Sequence, residues 1–317
     1  MSGMFQNCKS LISLDLSNFN FSRITDMTNM FSGCENLQSV KLQNQEYSLN
    51  YLYMDNMFSN CLNLRTIDLS KFSIQSNTSL NSMFYYDKLL TNIKMPYINC
   101  NALISMISTF DSCESLISIT FNSNNKIKPN NMKKMFNNCQ KLNNINLSII
   151  NTSYVTSMEY MFNNCKSLTT LDLSNFKDSQ VVNSIEYMFN NCTNLTKLDM
   201  NFNISYTDNM NYMFNNCISL SSLNLINFNG SKISNSMKYM FNNCNNLITI
   251  NITNFDTSFA YNMNYLFNKC TSLISLDLSD FYGSKINNII ENTKLINYLR
   301  YKVKIKLNML SKMKNKY

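Results

Sequence analysis

One residue type sets the ruler for this chain. Cys8, Cys34, Cys61, Cys113, Cys139, Cys165, Cys192, Cys217, Cys244 and Cys270 recur at a step of 25 to 27 residues, or twice that across the one gap. Asp87 stands on the missing rung, in MFYYDKLL, and Cys100 alone lies off the ladder. Eleven units follow. A fixed period of this length marks a stack of small units, none able to bury its own apolar face, so one elongated solenoid is expected in place of two globular domains.

Each unit has two halves with different periods. In the first, Met158, Met161, Phe162 and Cys165 fall at i, i+3, i+4 and i+7, the spacing of one face of a helix. Met27, Met30, Phe31 and Cys34 repeat it, as do Met237, Met240, Phe241 and Cys244. Asn commonly precedes the Cys, and Asn tolerates the left-handed conformation that ends helices. A short helix is therefore predicted. The second half reads L-x-x-L-x-L, as in Leu168, Leu171 and Leu173, with the alternation of a strand; Phe176 closes the turn. The expected fold is α/β: a leucine-rich-repeat solenoid with a parallel sheet on one face and short helices on the other.

The ends differ from the body. Met1, Met4, Phe5 and Cys8 already satisfy the first-half pattern, so the chain opens inside a unit and reads as a fragment or an internally started one. The repeats are expected to span residues 1–281, with 282–317 forming a degenerate cap and basic tail. Within 301–307, Val303, Ile305 and Leu307 alternate with Lys302, Lys304 and Lys306. That suits a last strand whose lysines discourage edge pairing. The net charge of +8 resides wholly in the eight cations from Lys294 to Lys316. The neutral body is no basic nucleic-acid binder, while the tail offers an electrostatic contact to an anionic surface. No run of 18 apolar residues and no signal-peptide pattern occurs, so neither a membrane span nor an export signal is predicted.

Candidates for chemistry are few. The thiols sit on the apolar face of their segment, where a free Cys behaves as a small hydrophobe. They are read as a structural, reduced ladder, with disulfides between neighbouring rungs and a metal ladder as the alternatives. The chain has no His, and no nucleophile stands in a unique context, so no enzyme and no cofactor is expected. The outward strand positions are the candidate recognition face. They include Asp15, Asp68, Thr170, Asp172, Asp199, Asn224, Asn251 and Asp277, interleaved with Lys41 and Lys94. The face holds carboxylates, amides and hydroxyls but no Trp, Tyr or Arg anchor, which favours weak or polar binding.

The unit resembles the BspA-like leucine-rich repeat, whose pattern also occurs in mycoplasma surface lipoproteins. The best-matching stretches are NTSYVTSMEYMFNNCKSLTTLDLSNF (151–176) and FDTSFAYNMNYLFNKCTSLISLDLSDF (255–281). The resemblance covers residues 1 to 281 and is weaker around Asp87 and Phe121. It implies a right-handed solenoid displayed on a cell surface, with a role in adhesion or host contact and a protein or polar glycan as ligand. An intracellular interaction scaffold and a structural repeat fragment without a ligand are the competing expectations.

Overall fold

The computed structural model describes residues 1–42, 47–49, 52–75, 78–98, 103–178, 182–200, 207–226, 236–253, 257, 260–277 and 289. The Leu-rich half of each unit forms the strands of a parallel sheet face. These are β1 (Ser13–Leu16), β2 (Ser39–Leu42), β4 (Thr66–Asp68), β7 (Asn92–Ile98), β9 (Ser118–Asn122), β11 (Thr170–Leu173), β12 (Lys197–Met200), β13 (Ser222–Asn224) and β14 (Thr249–Asn251). Neighbours pair in register, as in Leu171 with Leu198 and Asp172 with Asp199. Shorter strands lie between the main ones in the first half of the chain: β3 (Tyr47–Leu49), β5 (Phe72–Ile74), β6 (Thr78–Ser79), β8 (Leu103–Ser105) and β10 (Lys128–Asn131). They also pair parallel, β3 with β5 and β8 with both β10 and β6. Residues 142–147 and 273–277 carry the same sequence pattern without an assigned strand. Counted by paired strands among the described residues, the solenoid falls short of the eleven units expected.

The predicted helices do not form. Among the described residues there is no α-helix, only one 3-10 turn at Ser174–Asp178. The Met-Phe-Cys half is instead a chain of tight turns. Met161 N–H donates to Met158 O, Asn163 to Tyr160, Cys165 to Phe162 and Leu168 to Cys165, each an i to i+3 closure. The intervening amides point out of the turn: Tyr160 donates to Glu186, Phe162 to Met188 and Asn164 to Asn190, all in the next coil. A helix would spend every one of these amides within its own segment. The turn chain spends half of them on its neighbour, which satisfies the backbone and joins the coils together. It requires positive φ every fourth residue, at Tyr160 (57°) and Asn164 (59°), and again at Tyr187 and Asn191. A four-residue turn period and a helix put the same positions inward, so the side-chain spacing could not separate them.

Those inward positions build the core. Met158, Met161, Phe162, Cys165, Leu168, Leu171, Leu173 and Phe176 are all buried. The Phe of each turn stacks on that of the next, from Phe5 to Phe267, with ring centroids 5.1–5.8 Å apart and planes within 15°. Each inner ring therefore gains aromatic contacts on both faces in addition to its burial. The thiols follow the same logic. Cys165 Sγ donates to Phe136 O at 3.1 Å and Cys192 Sγ to Phe162 O at 3.1 Å, and the pattern holds from Cys34 to Cys270. Away from the Asp87 rung, the inner Phe carbonyls of the stack thus accept the Cys amide of their own turn and the thiol of the next. Burial pushes these thiols up, Cys34 to about 11 and Cys270 to about 12. Cys8 on the first turn is exposed.

Two rows of amides run parallel to the thiols. In the buried row, Asn163 Nδ2 donates to Asn137 Oδ1, Asn190 to Asn163, Asn215 to Asn190, Asn242 to Asn215 and Asn268 to Asn242, at 2.6–2.7 Å. The half-buried row links Asn138, Asn164, Asn191, Asn216 and Asn243 in the same sense. The Asn-Asn dipeptide before each Cys is therefore a hydrogen-bonding device as well as a left-handed corner. At the far end, Phe267 N–H donates to the carbonyl of Ile289, which is buried in the core. The alternating lysine segment 301–307 lies outside the described residues.

Candidate functional site

Outward strand positions are exposed as the alternation requires: Asp15, Asp68, Thr170, Asp172, Asp199, Asn224, Asn251 and Asp277 all face solvent. Register brings them into columns. Asp15 lies beside Lys41, Asp68 beside Lys94 and Lys94 beside Thr120, Asp172 beside Asp199, and Asn224 beside Asn251. The expectation treated this column as free for a ligand, but the structure gives its members a folding role too. Asp15, Asp68 and Asp172 each accept the amide of the residue two further on, from Ser17, Ser70 and Ser174, at 2.8–3.0 Å. Asn146, Asn224 and Asn251 do the same. This Asx turn ends the strand and bends the chain off the sheet. One carboxylate oxygen is committed to the turn, and the other remains to meet a partner.

The electrostatics differ along the column. The Ser17 hydroxyl and amide, with Lys41 at 3.0 Å, hold Asp15 down to about 2. At Asp68 burial acts upward, but Lys94 at 2.7 Å and Ser70 outweigh it, so its carboxyl is also lowered. In both cases the cation sits at the same position of the next coil. At Asp172 the next coil supplies Asp199 instead. Asp172 is kept ionised chiefly by Ser174, while Lys197, one column over, pairs with Asp199 at 2.9 Å.

This break in the charge pattern coincides with a depression. A shallow groove of about 540 Å³ opens on the sheet face, lined by Asn144, Asn146, Thr170, Asp172, Lys197 and Asp199 among others. It lies where residues 142–147, between β9 and β11, carry no assigned strand. The groove holds amide, hydroxyl, carboxylate and ammonium groups. That set suits polar recognition and presents no nucleophile–base pair.

The cysteine ladder, Cys8 to Cys270, lies away from this face. Nine of the ten described thiols are buried, each with its proton donated to a carbonyl. Among the described residues no group of three or more His, Cys, Asp or Glu stands in metal-binding proximity. No helix there is long and apolar enough to cross a membrane.

Sequence reasoning missed a second surface. Tyr160, Tyr187, Tyr212, Tyr239 and Tyr265 stack in a half-exposed ladder on the turn face, with centroids 4.6–5.0 Å apart. Each occupies a left-handed backbone position, φ 55–60°, which a side chain with a Cβ enters at a cost. Desolvation and the neighbouring Tyr212 push the Tyr187 phenol up to about 12. The signal was present in the sequence: the same column holds Gly3, Asn29 and Asn56 in the first units, residue types typical of positive φ.

Comparison with known proteins agrees with the repeat reading. No curated protein matches the sequence. Among solved structures, the fold is similar to a leucine-rich repeat protein from Bacteroides ovatus ATCC 8483, at 16% identity and a TM-score of 0.39, covering 86% of this chain and 80% of that one. A family model matches in three overlapping blocks, residues 1–122, 104–228 and 220–295, nearly the whole solenoid. The resemblance to BspA-like leucine-rich repeats holds at this level, and the chain belongs to the family described as Mycoplasma protein of unknown function, DUF285.

Proposed function

We propose that this chain is a non-enzymatic recognition module that binds a protein or polar glycan ligand across its sheet face, in adhesion or host contact at the cell surface. On this reading the eleven Cys- or Asp-marked rungs form one rod over residues 1–281. Residues 282–317 are its cap and a basic tail able to meet an anionic surface. The groove around Asp172 and Asp199 carries the proposal. It is where the sheet face is concave, and where a carboxylate column lacks the next-coil lysine that neutralises Asp15 and Asp68. A repeat fold suits this role because adjacent coils present the same position at a fixed interval.

Purified protein is expected to bind host-cell matrix, and the double reversal Asp172→Lys with Asp199→Lys to abolish binding while leaving the unfolding transition cooperative. A control reversal at an exposed residue outside the groove lining, Lys166→Glu, should bind as the parent does. Equal binding by all three would remove this face from consideration. A cytoplasmic scaffold is the second reading. It is favoured by the thiols, whose hydrogen bonds to Phe carbonyls would be lost on oxidation, and reducing compartments keep such groups free. Protease shaving of intact cells separates the two: degradation supports the surface reading, and protection supports the scaffold.

A further inference from the structure

Asp87 occupies a cysteine's place in the thiol ladder, and it is fully buried. Its Oδ1 accepts the Cys61 amide at 2.7 Å. Its Oδ2 is buried with no hydrogen-bond partner. The turns on either side show what the site lacks. Cys61 Sγ donates to Phe31 O at 3.2 Å, and Cys113 Sγ to Phe84 O at 3.0 Å. The Phe58 carbonyl, which a thiol at position 87 would serve by the same register, accepts only the Cys61 amide among the described residues. An orphaned oxygen on the Asp87 rung and a carbonyl short of its second donor thus belong to the same step of the ladder.

We propose that Asp87 is a proton-gated rung. Un-ionised, its Oδ2–H donates to the Phe58 carbonyl in place of the thiol; loss of that proton loosens the stack between the turns of Cys61 and Cys113. A carboxylic acid can fill a thiol's role because, like the thiol, it offers one donor proton without a charge. The carboxylate offers only acceptors, so ionisation would set two acceptors against each other in the core.

The surroundings give the charge no relief. The titratable groups flanking the rung are the thiols of Cys61 and Cys113, both held protonated chiefly by burial, and the buried Asp111 carboxyl of the Cys113 turn, itself raised by desolvation. Lys88, next in sequence, turns outward to Glu114 at 3.1 Å. Desolvation accordingly holds the Asp87 carboxyl well above its ordinary 3.8. Between 3.8 and the folded-state value the native chain keeps a proton that the unfolded chain has released. Stability is then fullest in acid and falls as pH rises through that window.

Two measurements on the full chain test this. The first is the carboxyl 13C shift of Asp87 in the wild-type protein, which should report an un-ionised acid at pH 7; an ionised carboxylate overturns the proposal without any variant. The second is urea unfolding against pH for the wild type, Asp87→Cys and Asp87→Asn. One linked proton lowers the folding constant by up to about tenfold per pH unit above 3.8. Asp111 and Glu186 also hold raised carboxyls and add slope of the same sign, so the wild-type slope should exceed that of whichever variant folds by this one proton. Superimposable profiles would overturn it.

Discussion

Two stretches of the same solenoid obey different rules. From Met132 to Cys270 the turns repeat a Phe stack, an amide row, a thiol row and, from Tyr160, a Tyr stack, with a second amide row from Asn138 to Asn243. From Leu80 to Ser112 the side chains change at each of these columns except the Phe, and the thiol returns at Cys113. Tyr85, Tyr86 and Asp87 replace Asn-Asn-Cys, and Asp111-Ser112 follow one coil later. Yet the backbone scheme runs through unaltered. Ser82 donates to Ile107, Phe84 to Thr109 and Tyr86 to Asp111, as Tyr160, Phe162 and Asn164 do to their partners. The fold is therefore carried by the turn-to-turn backbone ladder and the Phe stack. The Asn and Tyr rows are additions that require like to sit beside like, whereas each thiol needs only the Phe carbonyl of the preceding coil, as Cys113 shows beside Asp87.

The Phe stack, common to both stretches, gives the largest expected effect and the first way to break the comparison. Phe162→Ala and Phe84→Ala should each cost about 3–5 kcal/mol, as large-to-small core changes do. Denaturant unfolding of the two variants should give similar losses. A much smaller loss at Phe84 would mean that the irregular stretch is already loosened in its core.

The amide row should divide the stretches. Asn190→Ala orphans Asn163 Oδ1 on one side and Asn215 Nδ2 on the other. Leaving buried polar groups unpaired costs about 1–3 kcal/mol. Tyr85 holds the same column but is 38% exposed, so Tyr85→Ala should fall within about 0.5 kcal/mol of the parent. Equal losses at the two sites would show that the row does not act as a row.

The left-handed corners sharpen the contrast further, with effects near 1 kcal/mol. Tyr212 stacks on Tyr187 and Tyr239 at 4.6 and 5.0 Å while holding φ 58°. Each stack is worth about 0.5–1.5 kcal/mol and the backbone strain about 1–2. Tyr212→Gly relieves the strain but loses both stacks, and should be neutral to mildly destabilising. Ser82, at φ 52° with no aromatic stack, has only the strain to lose, so Ser82→Gly should stabilise by about 1 kcal/mol. Thermal unfolding of the pair reads the sign directly.

These columns also explain what could be read from residues alone. Period, stacking and the Leu-strand face were legible because burial acts on side-chain type, and Met158, Phe162, Cys165, Leu171 and Leu173 all face inward as their spacing required. The helix was misread because hydrogen-bond direction leaves no trace in hydrophobic spacing: turns closing every fourth residue bury the same positions. The backbone signal lay in the outward column of Gly3, Asn29 and Asn56, which Tyr fills later in the chain at a cost its stacking offsets. The exposed column was legible as polar, but its Asx turns were not. Alternation shows that Asp172 points outward, whereas its hold on the Ser174 amide depends on where the strand ends.

The last prediction uses the two carboxylate arrangements on the sheet face. Asp68 has a lysine beside it in the next coil, and Asp172 has Asp199. Asp199→Lys copies the first arrangement into the groove. Both side chains are about half exposed or more where they can be compared, 62% for Lys94 and 49% for Asp68, so solvent screening keeps such a pair to about 0.2–1 kcal/mol. The swap also removes the Asp199 partner of Lys197, and the net change in stability should stay within about 0.5 kcal/mol and shrink further in high salt. Ligand binding through the groove should nevertheless be lost, because the carboxylate column is neutralised. A variant that folds as the parent does and no longer binds would separate recognition from architecture at one residue; retained binding would place the contact elsewhere, with the tyrosine ladder of the turn face as the next surface to test.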